Sequence, residues 1–96
     1  MPEANLSLKV LPIVPEDQLY PLVDQVIKMI HDSGLNYMVS PNDTTIEGDL
    51  VTLLDLVKKA QELCIAAGAP RVISMITIDY KPDGVSIDEK ICSNHS

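Results

Sequence analysis

Ninety-six residues make one domain with room for a single modest core. Hydrophobic residues are 46% of the chain, which excludes a disordered polymer, and with no Phe and no Trp the core must be aliphatic. Seven Lys and Arg against 14 Asp and Glu give a net charge of −7, which argues against nucleic acid and permits a cationic small ligand.

The chain opens on Met1-Pro2-Glu3-Ala4-Asn5, acidic and without a basic n-region, so no signal peptide is expected. From Ala4 to Ile13 the residues alternate, with Leu6, Leu8 and Val10 on one side and Asn5, Ser7 and Lys9 on the other. Period two over this length predicts a half-buried strand, ended by Pro12 and Pro15. Pro15, Glu16 and Asp17 open a helix, with proline suited to the first turn and the acids to the positive end of the dipole. Leu19, Leu22, Val23, Val26, Ile27 and Ile30 form its wide apolar stripe, and Ser33-Gly34 stops it. Pro21 is tolerable near the first turn.

Leu35 to Val39 predicts a short second strand, Pro41 to Asp43 a turn, and Thr44 to Gly48 a third strand. Asp49 caps a second helix that begins near Leu50 and buries Leu50, Leu53, Val57, Ala60, Cys64 and Ala67 before Gly68 ends it. Arg71 to Tyr80 is the most β-prone run, followed by the turn Lys81-Pro82-Asp83-Gly84. Val85 to Ile91 predicts a short helix or an irregular clasp, because Ser86-Ile87-Asp88-Glu89 has the form of a capping box. No apolar run approaches the roughly 20 residues of a membrane span.

The order β-α-β-β-α-β predicts one α+β domain over residues 1–96. It is a ferredoxin-like sandwich of four antiparallel strands with two helices on one face. The first and third strands take the middle of the sheet. Alternation sends Val72, Ser74, Ile76, Ile78 and Tyr80 to the helix side. Asn5, Ser7, Lys9, Thr45, Glu47, Ile73, Met75, Thr77 and Asp79 go to the open face, where Lys9 and Glu47 form a cross-strand pair. An uncovered sheet with apolar side chains recruits another subunit, so a homodimer or homotetramer is expected.

The chemistry of catalysis is not legible. His31 falls at a helix end and His95 in the tail, and neither stands beside a nucleophile. Cys64 and Cys92 have no ligand spacing; Cys64 reads as a small buried hydrophobe, and a reducing cytoplasm is the simpler setting, with a disulfide left open. The first strand–helix loop, Ile13-Val14-Pro15-Glu16, has neither the cysteine pair of metal-carrying relatives of this fold nor a phosphate cradle. Its central strands carry no aromatics for stacking bases. What remains is binding without catalysis or metal. Ser40, Asn42, Thr44 and Thr45 cluster neutral donors and acceptors around Glu47, a set suited to a polar heterocycle with an amino group. The same residues also serve as turn and strand formers.

Ser40-Pro41-Asn42-Asp43-Thr44-Thr45-Ile46-Glu47-Gly48-Asp49, after Gly34-Leu35-Asn36-Tyr37, resembles the thiamine-binding protein family. The resemblance extends to the opening Leu6-Ser7-Leu8-Lys9-Val10-Leu11-Pro12 and the closing Ile78-Asp79-Tyr80-Lys81. It implies a ferredoxin-like fold, dimers or tetramers, and non-enzymatic binding of thiamine or a related aminopyrimidine, with thiamine as ligand rather than cofactor. On that reading Ser40, Asn42, Thr44, Thr45, Glu47 and Asp79 are the candidate ligand residues, Glu47 or Asp79 meeting the positive charge. The alternative is a regulatory or assembly module that binds another small metabolite at a subunit interface.

Overall fold

The computed structural model describes residues 2–84 and Ile87. Its elements run β1 (Ala4–Pro12), α1 (Glu16–Asp32), β2 (Tyr37–Val39), β3 (Thr44–Gly48), α2 (Leu50–Ala66) and β4 (Val72–Tyr80). The strands form one antiparallel sheet in the order β2-β3-β1-β4. This is the expected ferredoxin-like arrangement, with β1 and β3 central.

Local chemistry sets the helix limits. Pro15 precedes α1 with no side-chain cap, and Glu16 and Asp17 occupy its first turn. Pro21 lies inside the helix, which runs on because Leu22, Val26 and Ile30 bury one face against the sheet. Gly34, at φ +78°, takes the left-handed conformation that ends it, and its N–H donates to the His31 carbonyl at 3.2 Å. Leu35, expected in the second strand, belongs instead to this helix exit. Its N–H donates to Ser33 Oγ at 3.2 Å, and its side chain packs on the core, so β2 starts only at Tyr37. Asp49 caps α2 as expected: Oδ2 accepts the Thr52 N–H at 3.1 Å.

Leu53, Leu56, Val57, Ala60 and Cys64 are the buried face of α2. Leu56 was not in the expected set, whereas Leu50 is only half-buried and Ala67 is exposed where the helix ends. Leu6, Ile30, Ile46, Leu53 and Cys64 are the most completely sealed. Each large aliphatic side chain so buried contributes about 1.5–3 kcal/mol. Cys64 is a free thiol whose burial pushes its pKa up; Cys92 lies outside the described residues.

One expectation about the sheet needs correction. Lys9 does not pair with Glu47: Glu47 stands opposite Asn5, and Lys9 opposite Met75. β3 meets only the first half of β1, its Thr44 pairing with Leu8, so Lys9 lies beyond its end. The face assignment of β4 holds, but its burial is incomplete. Register does put Val72, Ser74, Ile76, Ile78 and Tyr80 on the helix side, in line with Pro12, Val10, Leu8, Leu6 and Ala4. Yet Ile76, Ile78 and Tyr80 are 42%, 37% and 53% exposed. The connectivity explains why. α2 joins β3 to β4 and rides over β1, which lies between them, while α1 joins β1 to β2 across β3. β4 therefore overhangs the helical layer.

The clasp expected over Val85–Ile91 lies outside the described residues except for Ile87. That residue is buried, and its N–H donates to Glu47 Oε2 at 2.8 Å. Among the described residues no helix is long and apolar enough to cross a membrane, and no group of His, Cys, Asp and Glu is placed to hold a metal.

Candidate ligand-binding cleft

Between α1 and the turn joining β2 to β3 lies a cleft of about 350 Å³. That is near the lower end of the roughly 300–1,000 Å³ usual for small-molecule sites. Leu8 and Val10 of β1 and Val26 and Ile30 of α1 supply its apolar interior. Val23 and Ile27 extend the apolar wall along α1, and Val39 and Pro41 close the side toward β2. The polar groups are Tyr20 and Asp24 from α1, Lys9 from β1, and Ser40, Asn42, Asp43 and Thr44 from the turn and the start of β3.

Each of these is placed by a local rule. Tyr20, Val23, Asp24 and Ile27 recur at i, i+3, i+4 and i+7, so they share one side of α1 beside the core-facing Leu22, Val26 and Ile30. The turn is closed by the Ser40 N–H donating to the Asp43 carbonyl at 2.8 Å. It is then tied to the sheet by Ser7 Oγ, which donates to Asp43 Oδ2. Asp43 thus has a fixed carboxylate at the mouth of the cleft, with acceptor capacity beyond the one bond to Ser7. Two carboxylates against one ammonium leave the polar rim net negative over an apolar floor. Such a rim favours a cation, and the carboxylates, the Asn42 amide and the hydroxyls can fix the orientation of an amino-bearing ring.

The sequence-expected residues divide. Ser40, Asn42 and Thr44 line the cleft; Thr45, Glu47 and Asp79 do not. Thr45 faces the open side opposite Ser7, because alternation turns it away from Thr44. Glu47 lies three residues further along β3, about 10 Å from Thr44, and has a structural partner on each oxygen. Asn36 Nδ2 donates to Oε1 at 2.8 Å and the Ile87 N–H to Oε2 at 2.8 Å. Asp79 stands two strands from β3, opposite Asn5.

Sequence reasoning missed Lys9, Tyr20, Asp24 and Asp43 as cleft residues. One signal was available: an apolar stripe on α1 too wide for a single packed face implies a second surface beside the core. His31, at the exposed end of α1, has its Nδ1 3.0 Å from the Tyr37 hydroxyl, and the rings meet edge to face.

The chain is similar to proteins from several bacteria. A UPF0045 protein of Clostridium perfringens is 50% identical over 91 residues, covering 95% of this chain and 96% of that protein. A domain of unknown function from Bacillus cereus superposes with a TM-score of 0.85 at 44% identity, covering 92% of this chain and 86% of that one. A Thermotoga maritima protein, described as a candidate for thiamine biosynthesis or salvage, superposes with a TM-score of 0.86 at 33% identity. The match covers 95% of this chain and 97% of that one. The model of the thiamine-binding protein family matches residues 6–95, and the chain belongs to that family.

Proposed function

We propose that the protein binds thiamine or a related aminopyrimidine in the cleft between α1 and the β2–β3 turn, without catalysis, as a carrier, buffer or sensor. The observation that carries this reading is the pair of carboxylates, Asp24 and Asp43, set on the rim of an apolar cleft of small-molecule size. Thiamine offers a thiazolium cation, an aminopyrimidine with ring-nitrogen acceptors, and flat apolar faces. The cation suits the acidic rim, the exocyclic amine suits Asp43, Asn42 and Ser40, and the ring faces suit Leu8, Val10, Val23 and Ile27. Thr44 joins the site from β3; Thr45, Glu47 and Asp79 serve the sheet. Family membership and the description of the Thermotoga relative support the same ligand class.

The reading includes self-association as a dimer or tetramer, supported by the exposed apolar side chains of β4. It places the protein in the cytoplasm, supported by the free, buried Cys64. Isothermal titration with thiamine tests the binding. Saturable heat that disappears in Asp24→Asn/Asp43→Asn is the expected result, and no binding at millimolar thiamine overturns the proposal.

A further inference from the structure

β1 has nine residues and β3 five, and the two strands separate before β1 ends. Their register closes with Leu8 opposite Thr44. Beyond that pair, the edge of β1 that a longer β3 would cover runs along the cleft, where Lys9, Val10 and Leu11 form part of the lining.

The bonds at the two ends of the β1–β4 pairing show which backbone groups point there. The Ile13 N–H donates to the Arg71 carbonyl at 2.9 Å, and the Lys81 N–H donates to the Glu3 carbonyl at 2.8 Å. Both bonds fall in line with the uninterrupted β1–β4 register. The odd-numbered residues of β1 therefore exchange hydrogen bonds with β4, while Leu8, Val10 and Pro12 direct theirs toward the β3 side. Leu8 is matched by Thr44. Pro12 has no N–H, and its carbonyl accepts the Val14 N–H at 3.1 Å. Val10 presents an N–H and a carbonyl side by side, and among the described residues neither has a hydrogen-bond partner.

The position opposite Val10 belongs, by continuation of the register, to Asn42. The chain has turned away before reaching it. The Ser40 N–H closes the turn on the Asp43 carbonyl at 2.8 Å, and Ser7 Oγ holds Asp43 Oδ2. The opening is therefore a single donor–acceptor pair long. A peptide strand gains affinity from a ladder of such pairs, whereas one planar ring needs no more than this.

We infer that the main chain of Val10 is the specificity-determining contact of the cleft, pairing with the amino edge of an aminopyrimidine. The inference rests on the ligand class proposed above. The Val10 N–H donates to the ring nitrogen beside the amino group, and the Val10 carbonyl accepts one N–H of the amine. The second N–H of the amine is left for acceptors of the turn, Asp43 among them. A ring held this way continues the sheet past the end of β3, with one face toward Val23 and Ile27 of α1. A 4-oxo pyrimidine carries a ring N–H and a carbonyl in the same two places, so donor would meet donor and acceptor would meet acceptor. Ser40, Asn42 and Thr44 can each donate or accept, and by themselves would tolerate either ring.

Two measurements on the full chain test the contact. In residue-resolved hydrogen exchange by NMR without ligand, the Val10 amide should exchange faster than those of Lys9 and Leu11, which are bonded to β4. Saturation with thiamine, or with its pyrimidine half as the free alcohol, should slow Val10 exchange at least about tenfold. In calorimetric titration the 4-oxo analogue of thiamine should bind about a hundredfold more weakly than thiamine. Thiamine that binds and leaves Val10 exchange unchanged overturns the strand-edge contact and leaves the ligand reading standing. An oxo analogue that binds within about tenfold of thiamine does the same. Failure of both thiamine and its pyrimidine half to bind overturns the ligand reading and the contact together.

Discussion

The two edges of the sheet are built from the same crossovers and end in opposite conditions. β2 has three residues, is followed by Ser40 and Pro41, and lies on the side where α1 and the β2–β3 turn enclose the cleft. β4 has nine residues, pairs along its whole length with β1, and projects beyond α2 with large aliphatic side chains bare on both faces. The difference shows how two helices can cover one four-stranded sheet unequally. The short edge leaves a concavity that is closed by turn residues and polar groups. The long edge leaves a surface that nothing in the described chain covers.

The largest expected effect removes the support shared by both edges. Leu53 is 1% exposed in the core, and Leu53→Ala should cost about 2–5 kcal/mol in urea unfolding, weakening ligand binding and self-association together. If one edge survives that loss intact, the two regions are less coupled than a common core implies.

Glu47 and Asp24 separate scaffold from site. Glu47→Ala strands the buried Ile87 N–H and frees Asn36. It should cost about 1–3 kcal/mol of stability, with thiamine affinity unchanged at temperatures where the fold is intact. Asp24→Asn should do the reverse, lowering affinity roughly tenfold by titration while leaving the unfolding midpoint in place. A thiamine affinity that follows Glu47 and ignores Asp24 would move the site out of the cleft.

The smallest effect concerns pH. Asp49 is held below the ordinary carboxylate range by the Thr52 hydroxyl, and next by the Thr52 N–H. A folded-state pKa below the unfolded one means that the cap's contribution is complete above the unfolded value. It is lost as pH falls through the folded value. Asp49→Asn retains an acceptor but not the charge. It should flatten the acid limb of the stability profile, measured by melting between pH 5 and about pH 2. Neither edge should notice.

Much of the fold was legible because its signals are local and repetitive. Alternation in Ala4–Val10, the helical spacing of Leu22, Val26 and Ile30, and Gly34 and Gly68 each act within a few residues. The face assignments also followed, since period two leaves no choice once Leu6 is buried. The candidate site was half legible. Ser40, Asn42 and Thr44 lie in the one stretch dense in polar groups, but that density did not distinguish residues that face the cleft from residues that hold the sheet. Glu47 looked like a ligand carboxylate because its true partners are 11 and 40 residues away along the chain. Asp24 drew no reading because nothing nearby in sequence marks α1 as a wall.

The sequence by itself determined the order and type of the elements, the aliphatic core, the caps and the family to which the chain belongs. These depend on short-range periodicity and on side chains acting within one turn of their own position. Only the tertiary structure decided where β3 stops along β1, which carboxylates line the cleft, and that β4 overhangs the helices. Those outcomes depend on register and on how far a helix layer reaches, quantities set by contacts between residues far apart in the chain.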